Sequence, residues 1–120
     1  SAALHSSGDQ AGFAAELGGL GVLYWADLGT RQRSEVATST DSRYRVLAMD
    51  KGRRQLLYEQ TGQDQPFRLW DRRKKEDRYK VIKGCQEPAI SEDGRLMAVR
   101  CPKARMGPAV YLFAVPEPEE

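Results

Sequence analysis

The chain has 120 residues, with nineteen basic and seventeen acidic side chains for a net charge of +2; 40% of its residues are hydrophobic and 30% charged. That length supports one domain with one core, burying roughly two thirds of the unfolded chain's surface, and a charge so evenly balanced does not single out nucleic acid or an anionic membrane as a partner. The apolar runs all fall short of the roughly 18 residues a membrane helix needs, so no membrane insertion is expected.

In chain order, Ser1 to Gly8 is small and polar and is expected to be mobile. Asp9 can cap a short helix over Gln10–Leu17, in which Phe13 and Leu17 share a face and Gly18-Gly19 form the stop. Gly12 costs such a helix about 1 kcal/mol relative to alanine, so it would depend on packing. From Gly21 the pattern becomes that of strands: the aromatic-rich Val22–Ala26, a turn at Leu28–Thr30, and Ser34–Thr38 pairing back. A polar loop at Ser39–Ser42 leads into a hairpin of Arg43–Met49 and Gln55–Glu59 around a turn at Asp50–Arg53. After the loop Thr61–Pro66, Phe67-Arg68-Leu69-Trp70 alternates as a strand, Asp71 to Asp77 is a charged turn, and Arg78–Ile82 returns. A last strand, Val110–Val115, is stopped by Pro116 and Pro118. The organisation read from this is an N-terminal segment 1–21, a single antiparallel β domain over 22–116 and an acidic tail at 117–120. Basic clusters at Lys51, Arg53, Arg54 and at Arg72–Lys75 read as solvated turns, with a patch that steers an acidic partner as the alternative.

The best-specified unit is the hairpin of Glu87–Arg100, where Asp93-Gly94 supplies the positive φ angles of a tight turn. A turn centred on Asp93 places Cys85 opposite Cys101 at the hairpin's open end. A disulfide there would close a loop of about 17 residues, contribute about 3 kcal/mol, and imply an oxidising compartment such as a periplasm or the extracellular space. A one-residue bulge would spoil the register and leave two reduced thiols packed as small hydrophobes. Two cysteines with no histidine nearby do not make a zinc site.

The segments also repeat. Asp50 to Asp93 and Leu69 to Leu112 are each an offset of 43, and Trp25 to Trp70 is 45, a period with several short strands per unit that marks propeller blades. Pro88-Ala89-Ile90-Ser91-Glu92-Asp93-Gly94-Arg95-Leu96-Met97-Ala98-Val99 resembles the Pro-x-hydrophobic-Ser-Pro-Asp-Gly-Arg-x-Ile-Ala-Phe motif of TolB-type and WD40-like β-propeller repeats, with Glu92 where that family carries proline. Phe67-Arg68-Leu69-Trp70-Asp71 is similar to the strand that bears the Trp-Asp pair of WD40 repeats. The resemblance covers roughly residues 22 to 115, about two and a half units, and implies blades whose common role is to dock partners. Such repeats could close a ring by oligomerising, belong to a longer propeller, or fold as a compact antiparallel sheet or sandwich with a fortuitous period. The sequence favours the last, an all-β fold with a short N-terminal helix, because 120 residues can bury two packed sheets.

Nothing in the pattern assembles a catalytic group. His5, the only histidine, falls in the N-terminal lead-in, so a nucleophile has no firmly held base. Glu92-Asp93 sits at a turn and Glu76-Asp77 among cations, which reads as solvated carboxylates. Gly18-Gly19-Leu20-Gly21 does not join a strand to a helix as a phosphate cradle does, and Asp71 to Asp77 lacks the ligand spacing of a calcium loop. No cofactor is expected. Aromatics interleaved with arginines, as in Arg43-Tyr44-Arg45, could stack on nucleic-acid bases, but core-facing rings with exposed arginines explain them equally. Trp25, Arg68, Trp70, Arg72 and Arg73 match the Trp and Arg enrichment of protein-binding hot spots, if the two rings are partly exposed. The sequence therefore points to a non-catalytic protein-binding module, periplasmic or secreted, that recognises a protein partner through a sheet face or edge; the alternative is a structural fragment of a larger propeller or an accessory domain of an enzyme.

Overall fold

The structure, a computed structural model, describes the backbone of residues 4–7 and all atoms of residues 9–50, 55–81, 83–102 and 107–115. The His5 side chain, the turn residues and basic cluster at 51–54, Ile82 and the acidic tail lie outside the described residues. Eleven strands are described: β1 (Leu4–Ser7), β2 (Gln10–Leu17), β3 (Leu20–Asp27), β4 (Gln32–Ser39), β5 (Tyr44–Met49), β6 (Gln55–Gln60), β7 (Phe67–Asp71), β8 (Glu76–Lys80), β9 (Gln86–Ile90), β10 (Leu96–Cys101) and β11 (Ala109–Ala114). They form three antiparallel sheets in chain order, β1 to β4, β5 to β8 and β9 to β11, each strand paired with its sequence neighbour. There are thus three sheets where the sequence pointed to two. Among the described residues there is no helix, so none long and apolar enough to cross a membrane.

The short helix expected over Gln10–Leu17 is instead strand β2, paired residue for residue with β3 from Gln10↔Asp27 to Leu17↔Leu20. The spacing of Phe13 and Leu17 fits either structure, because a separation of four returns to the same face in a helix and in a strand alike. Gly18 and Gly19, read as a helix stop, have φ of 56° and 86°, the two consecutive positive angles that a type I′ hairpin turn requires. Leu4–Ser7, expected to be mobile, pairs with β2 as β1.

The middle sheet explains the core. Leu56, Leu57 and Tyr58 are all buried in a row, the signature of a strand covered on both faces. Leu56, Tyr58 and Trp70 pack with Ala14, Leu23 and Trp25 of the first sheet. Leu57 and Leu69 point the other way, into Met97, Val99 and Val115 and the half-cystines of the third sheet.

The hairpin of the third sheet forms where its sequence predicts, with two adjustments. Ser91 and Leu96 close a four-residue loop, the Ser91 N–H donating to the Leu96 carbonyl at 2.9 Å. Asp93 and Ser91 then satisfy the loop amides: Arg95 N donates to Asp93 Oδ1 at 3.0 Å and Leu96 N to Ser91 Oγ at 2.9 Å. Only Gly94 has a positive φ, 75°. The loop is therefore centred half a residue beyond Asp93, and Met97 faces Ile90. A bulge at Glu87, φ 53°, shifts the register between Ala98 and Arg100, so Arg100 faces Gln86. Cys85 and Cys101 are thereby brought together as a disulfide, Cα to Cα 4.2 Å, a bond compatible with an oxidising extracellular compartment.

Candidate protein-binding site

The sheets repeat one another strand for strand. On the second and third strands, Gly12 pairs with Trp25 in the first sheet, Leu57 with Leu69 in the second and Ala98 with Leu112 in the third. Adjacent on the same face come Ala14 with Leu23, Glu59 with Phe67 and Arg100 with Val110. The outer strands repeat a bulge, with Val36 unpaired opposite Leu23–Tyr24 and Arg78 opposite Leu69–Trp70. The inner strands do likewise, at Leu47 in β5 and at Glu87-Pro88 in β9.

In the first two sheets this forward face, the one turned toward the next sheet, is buried: Trp25 is 2% and Leu69 0% exposed. In the third sheet the equivalent Leu112 is 68% exposed and Val110 70%, with Leu96 beside them at 45%. Ala89 and Ala98 extend this apolar face, which ends in a polar corner where Arg100 donates to Gln86 Oε1 at 3.3 Å and ion-pairs with Glu87 at 3.0 Å. β3 and β7 each pair on their outer side with β4 and β8, whereas among the described residues β11 has no strand on that side. The third sheet thus offers both an apolar face and an open edge. Large contiguous apolar patches of this kind mark interaction sites on soluble proteins.

A cleft lies between the first two sheets. The β3–β4 and β7–β8 turns are copies: Asp27 accepts from Gly29 N at 2.9 Å and Thr30 N at 3.1 Å, Asp71 accepts from Arg73 N at 2.8 Å, and Arg31 and Lys75 each adopt a positive φ four residues after the aspartate. Across from them, Gln10 faces Asp27 and Gln55 faces Asp71. The Trp25 indole N–H donates to Gln10 Oε1, whose amide in turn donates to Asp27 at 3.3 Å. Arg72, Arg73 and Lys75 line the other wall of this cleft, about 490 Å³ in volume, opposite Asp9 and Asp27.

The five residues singled out from the sequence are split by the fold. Arg72, Arg73 and Trp25 meet at this cleft, but Trp25 and Trp70 are core residues, their rings 5.7 Å apart across the sheet junction, so neither presents a face to a partner. Their positions on successive third strands explain the offset of 45, yet they lie on opposite faces; the equivalent of Trp25 is Leu69. Arg68 is held within its own sheet, donating to Gln60 Oε1 at 2.6 Å and to the Gln65 carbonyl at 3.2 Å. The face of Leu96, Val110 and Leu112 was not picked out. Its signal was present in Val110–Val115, an uninterrupted apolar run in the manner of a strand covered on both sides.

The displaced titrating groups serve the junctions and turns. Burial, then the hydrogen bond to Asp77 at 2.7 Å, pushes the Tyr58 phenol well up. Burial raises Tyr44 as well, against the opposing charge of Arg68. Asp27 is held below the usual aspartate range, first by the Thr30 amide and next by the Gln10 side chain. Among the described residues no three or more His, Cys, Asp or Glu side chains converge as metal ligands. No family model, no curated protein and no solved structure matches the chain.

Proposed function

We propose that the chain is a non-catalytic protein-binding module of an oxidising, extracytoplasmic compartment, either periplasmic or secreted, that docks a protein partner on the forward face and open edge of its third sheet. The observation that carries this reading is the contrast at equivalent positions: Leu112 is two-thirds exposed where Trp25 and Leu69 are buried, and Val110 is as exposed where Leu23 is buried and Phe67 half-buried. Edge pairing would add main-chain hydrogen bonds to β11 and the face would supply apolar contact, the combination used in recognition by strand addition. The disulfide supports the compartment.

The repeated register and bulges favour a second, compatible reading: the sheets are successive blades of a TolB-type or WD40-like propeller array. In that reading the free face of the third sheet is where a further blade packs.

The test is affinity capture from extracytoplasmic extract with the wild-type chain and with Leu112→Glu as paired baits. A discrete protein retained by the wild type and lost with the variant is the expected result. Equal capture by both baits, or none above background by either, overturns the reading.

A further inference from the structure

The two junctions share one polar frame. At the start of the second strand of each sheet a glutamine faces an aspartate at the end of the third, Gln10 with Asp27 and Gln55 with Asp71. At the second junction the frame is closed. The Gln55 side chain is fully buried, donating to the Gly94 carbonyl of the third sheet at 3.1 Å and accepting from Arg78 Nη1 at 3.4 Å, while Arg78 Nε lies 4.0 Å from Asp71 Oδ2. At the first junction the same frame borders the cleft of about 490 Å³. One backbone plan thus yields a sealed polar latch in one place and an open polar recess in the other.

The walls of the recess are fixed in place and carry opposite charge. On the first sheet the Gln10 amide donates to Asp9 Oδ1 at 3.2 Å and to Asp27 Oδ2 at 3.3 Å, and the Trp25 indole N–H holds the other end of Gln10. The Asp9 carbonyl accepts from Leu28 N at 2.6 Å, which ties this wall to the β3–β4 turn. The Asp27 carboxylate is occupied by Gln10 and by the Gly29 and Thr30 amides, whereas Asp9 Oδ2 accepts no hydrogen bond among the described residues. On the second sheet Asp71 fixes the β7–β8 turn, its carboxylate accepting from Arg73 N and its carbonyl from Lys75 N, both at 2.8 Å. Among the described residues the Arg72 and Lys75 side chains make no hydrogen bond or ion pair, and no ion pair joins the two walls.

Opposite charges that face each other without touching select their ligand. An anion drawn to Arg72 and Lys75 meets the repulsion of Asp9 and Asp27, and a cation drawn to Asp9 meets that of the basic wall, because repulsion between like charges acts at the same range as the attraction. A ligand that bears both charges gains from both walls. We infer that this cleft binds a small zwitterion with a free ammonium and a free carboxylate, the chemistry of an α-amino acid or a short peptide. The carboxylate lies against Arg72 and Lys75, where the planar fork of the arginine matches its two oxygens. The ammonium lies against Asp9 Oδ2. The cleft's volume falls within the range of about 300–1,000 Å³ found for small-molecule sites. No residue of the third sheet lines it, so this site is separate from the docking face proposed above.

The experiment is an NMR titration of the full chain at neutral pH with L-alanine and with L-alanyl-L-alanine, followed at the backbone amides and the indole N–H groups. The controls are N-acetyl-L-alanine, which lacks the ammonium, and L-alaninamide, which lacks the carboxylate. The expected result is saturable shifts of the Trp25 indole and of the Gly29, Thr30 and Arg73 amides, with each control binding about tenfold more weakly, the worth of a hydrogen bond to a charged group. Whichever of the amino acid and the dipeptide binds more tightly identifies the source of the zwitterion. Asp9→Asn, and Arg72→Gln combined with Lys75→Gln, should each weaken binding by about tenfold. Asp9 and Lys75 are exposed and Arg72 half-buried, and an unchanged spectrum away from the cleft shows that each variant keeps its fold. Leu112→Glu, on the third sheet, should bind as the wild type does. Equal binding of either control overturns the proposal, as do folded variants of either wall that bind like the wild type. The absence of saturable shifts with both zwitterions also overturns it.

Discussion

The two junctions between sheets solve the same packing problem with different materials. The first is filled by rings: Trp25 against Trp70, with Tyr58 beside them and Tyr44 at the margin. The second has aliphatic side chains in its buried centre, Leu57, Leu69, Met97, Val99 and Val115, with a disulfide at one end. Aromatic side chains bury 150–250 Å² each, so a few suffice to hold two sheets in register. An aliphatic junction supplies less area per residue; here a disulfide within the third sheet fixes one wall, and a buried polar latch crosses from the second sheet to the third. In that latch the Gln55 side-chain amide reaches from the second sheet to donate to the Gly94 carbonyl at 3.1 Å, while the Gln55 backbone N–H donates to Asp50 Oδ1. The contrast teaches that one repeating backbone register tolerates two distinct cores, provided that each is closed by its own means.

The contrast can be broken most sharply at its largest ring. Trp25→Ala should cost about 3–5 kcal/mol, the usual toll for emptying a buried aromatic site, and should separate the first sheet before the third. Hydrogen exchange resolved by strand would show β2 and β3 losing protection first. The second junction should be broken by its cross-link: Cys85→Ala with Cys101→Ala is expected to lower stability by about 3 kcal/mol in denaturant titration, with protection lost first in β9 to β11. If each change instead loosens both junctions equally, the sheets form one cooperative unit and the distinction is only one of composition.

A smaller effect is expected at the latch. Gly94 has φ 75°, and a Cβ there would run into the Asp50 carboxylate and the Gln55 amide. Gly94→Ala should cost about 1–3 kcal/mol, measured as a shift in urea midpoint.

The smallest effect distinguishes the junctions by pH. Burial and Asp77 raise Tyr58 above the ordinary tyrosine value of 10.0, so the folded chain keeps a proton that the unfolded chain releases. Its contribution is whole below pH 10 and declines as pH rises above it. Tyr58→Phe should cost about 1–2 kcal/mol near neutrality for the lost hydrogen bond, yet flatten the loss of stability above about pH 10.

Much of this architecture was legible in the residues. The strands from Val22 onward, the Asp93-Gly94 hairpin and the pairing of Cys85 with Cys101 follow from alternation and turn chemistry, which are local. Gln10–Leu17 was not legible as a strand, because Ala and Glu favour helix and the decisive constraint, full pairing with β3, is not local. Trp25 and Trp70 illustrate the other failure. Composition marks them as hot-spot residues, but whether a sheet face is covered depends on the neighbouring sheet that packs against it. The free face of the third sheet escaped notice for the same reason: Leu112 has the same chemistry as the buried Leu69, and only the presence or absence of a neighbour separates them.

The bulge at Glu87 has a consequence for how this hairpin tolerates changes in length. Strand alternation is a matter of parity: each inserted or deleted residue turns every side chain beyond it to the opposite face. The four-residue loop from Glu92 to Arg95 takes one odd step from a turn centred on Asp93, and the bulge takes a second that cancels it. Cys85 returns to the side of Cys101 only because both steps are present. Pairing Glu87 and Pro88 one to one, without the bulge, would set Cys85 opposite Pro102 and send its sulfur to the solvent side of the sheet. Deleting Glu87 would instead leave Pro88 alone opposite Val99 and keep Cys85 across from Cys101, so the hairpin absorbs the loss of one residue at the bulge, where a loss in the loop would turn the strand over.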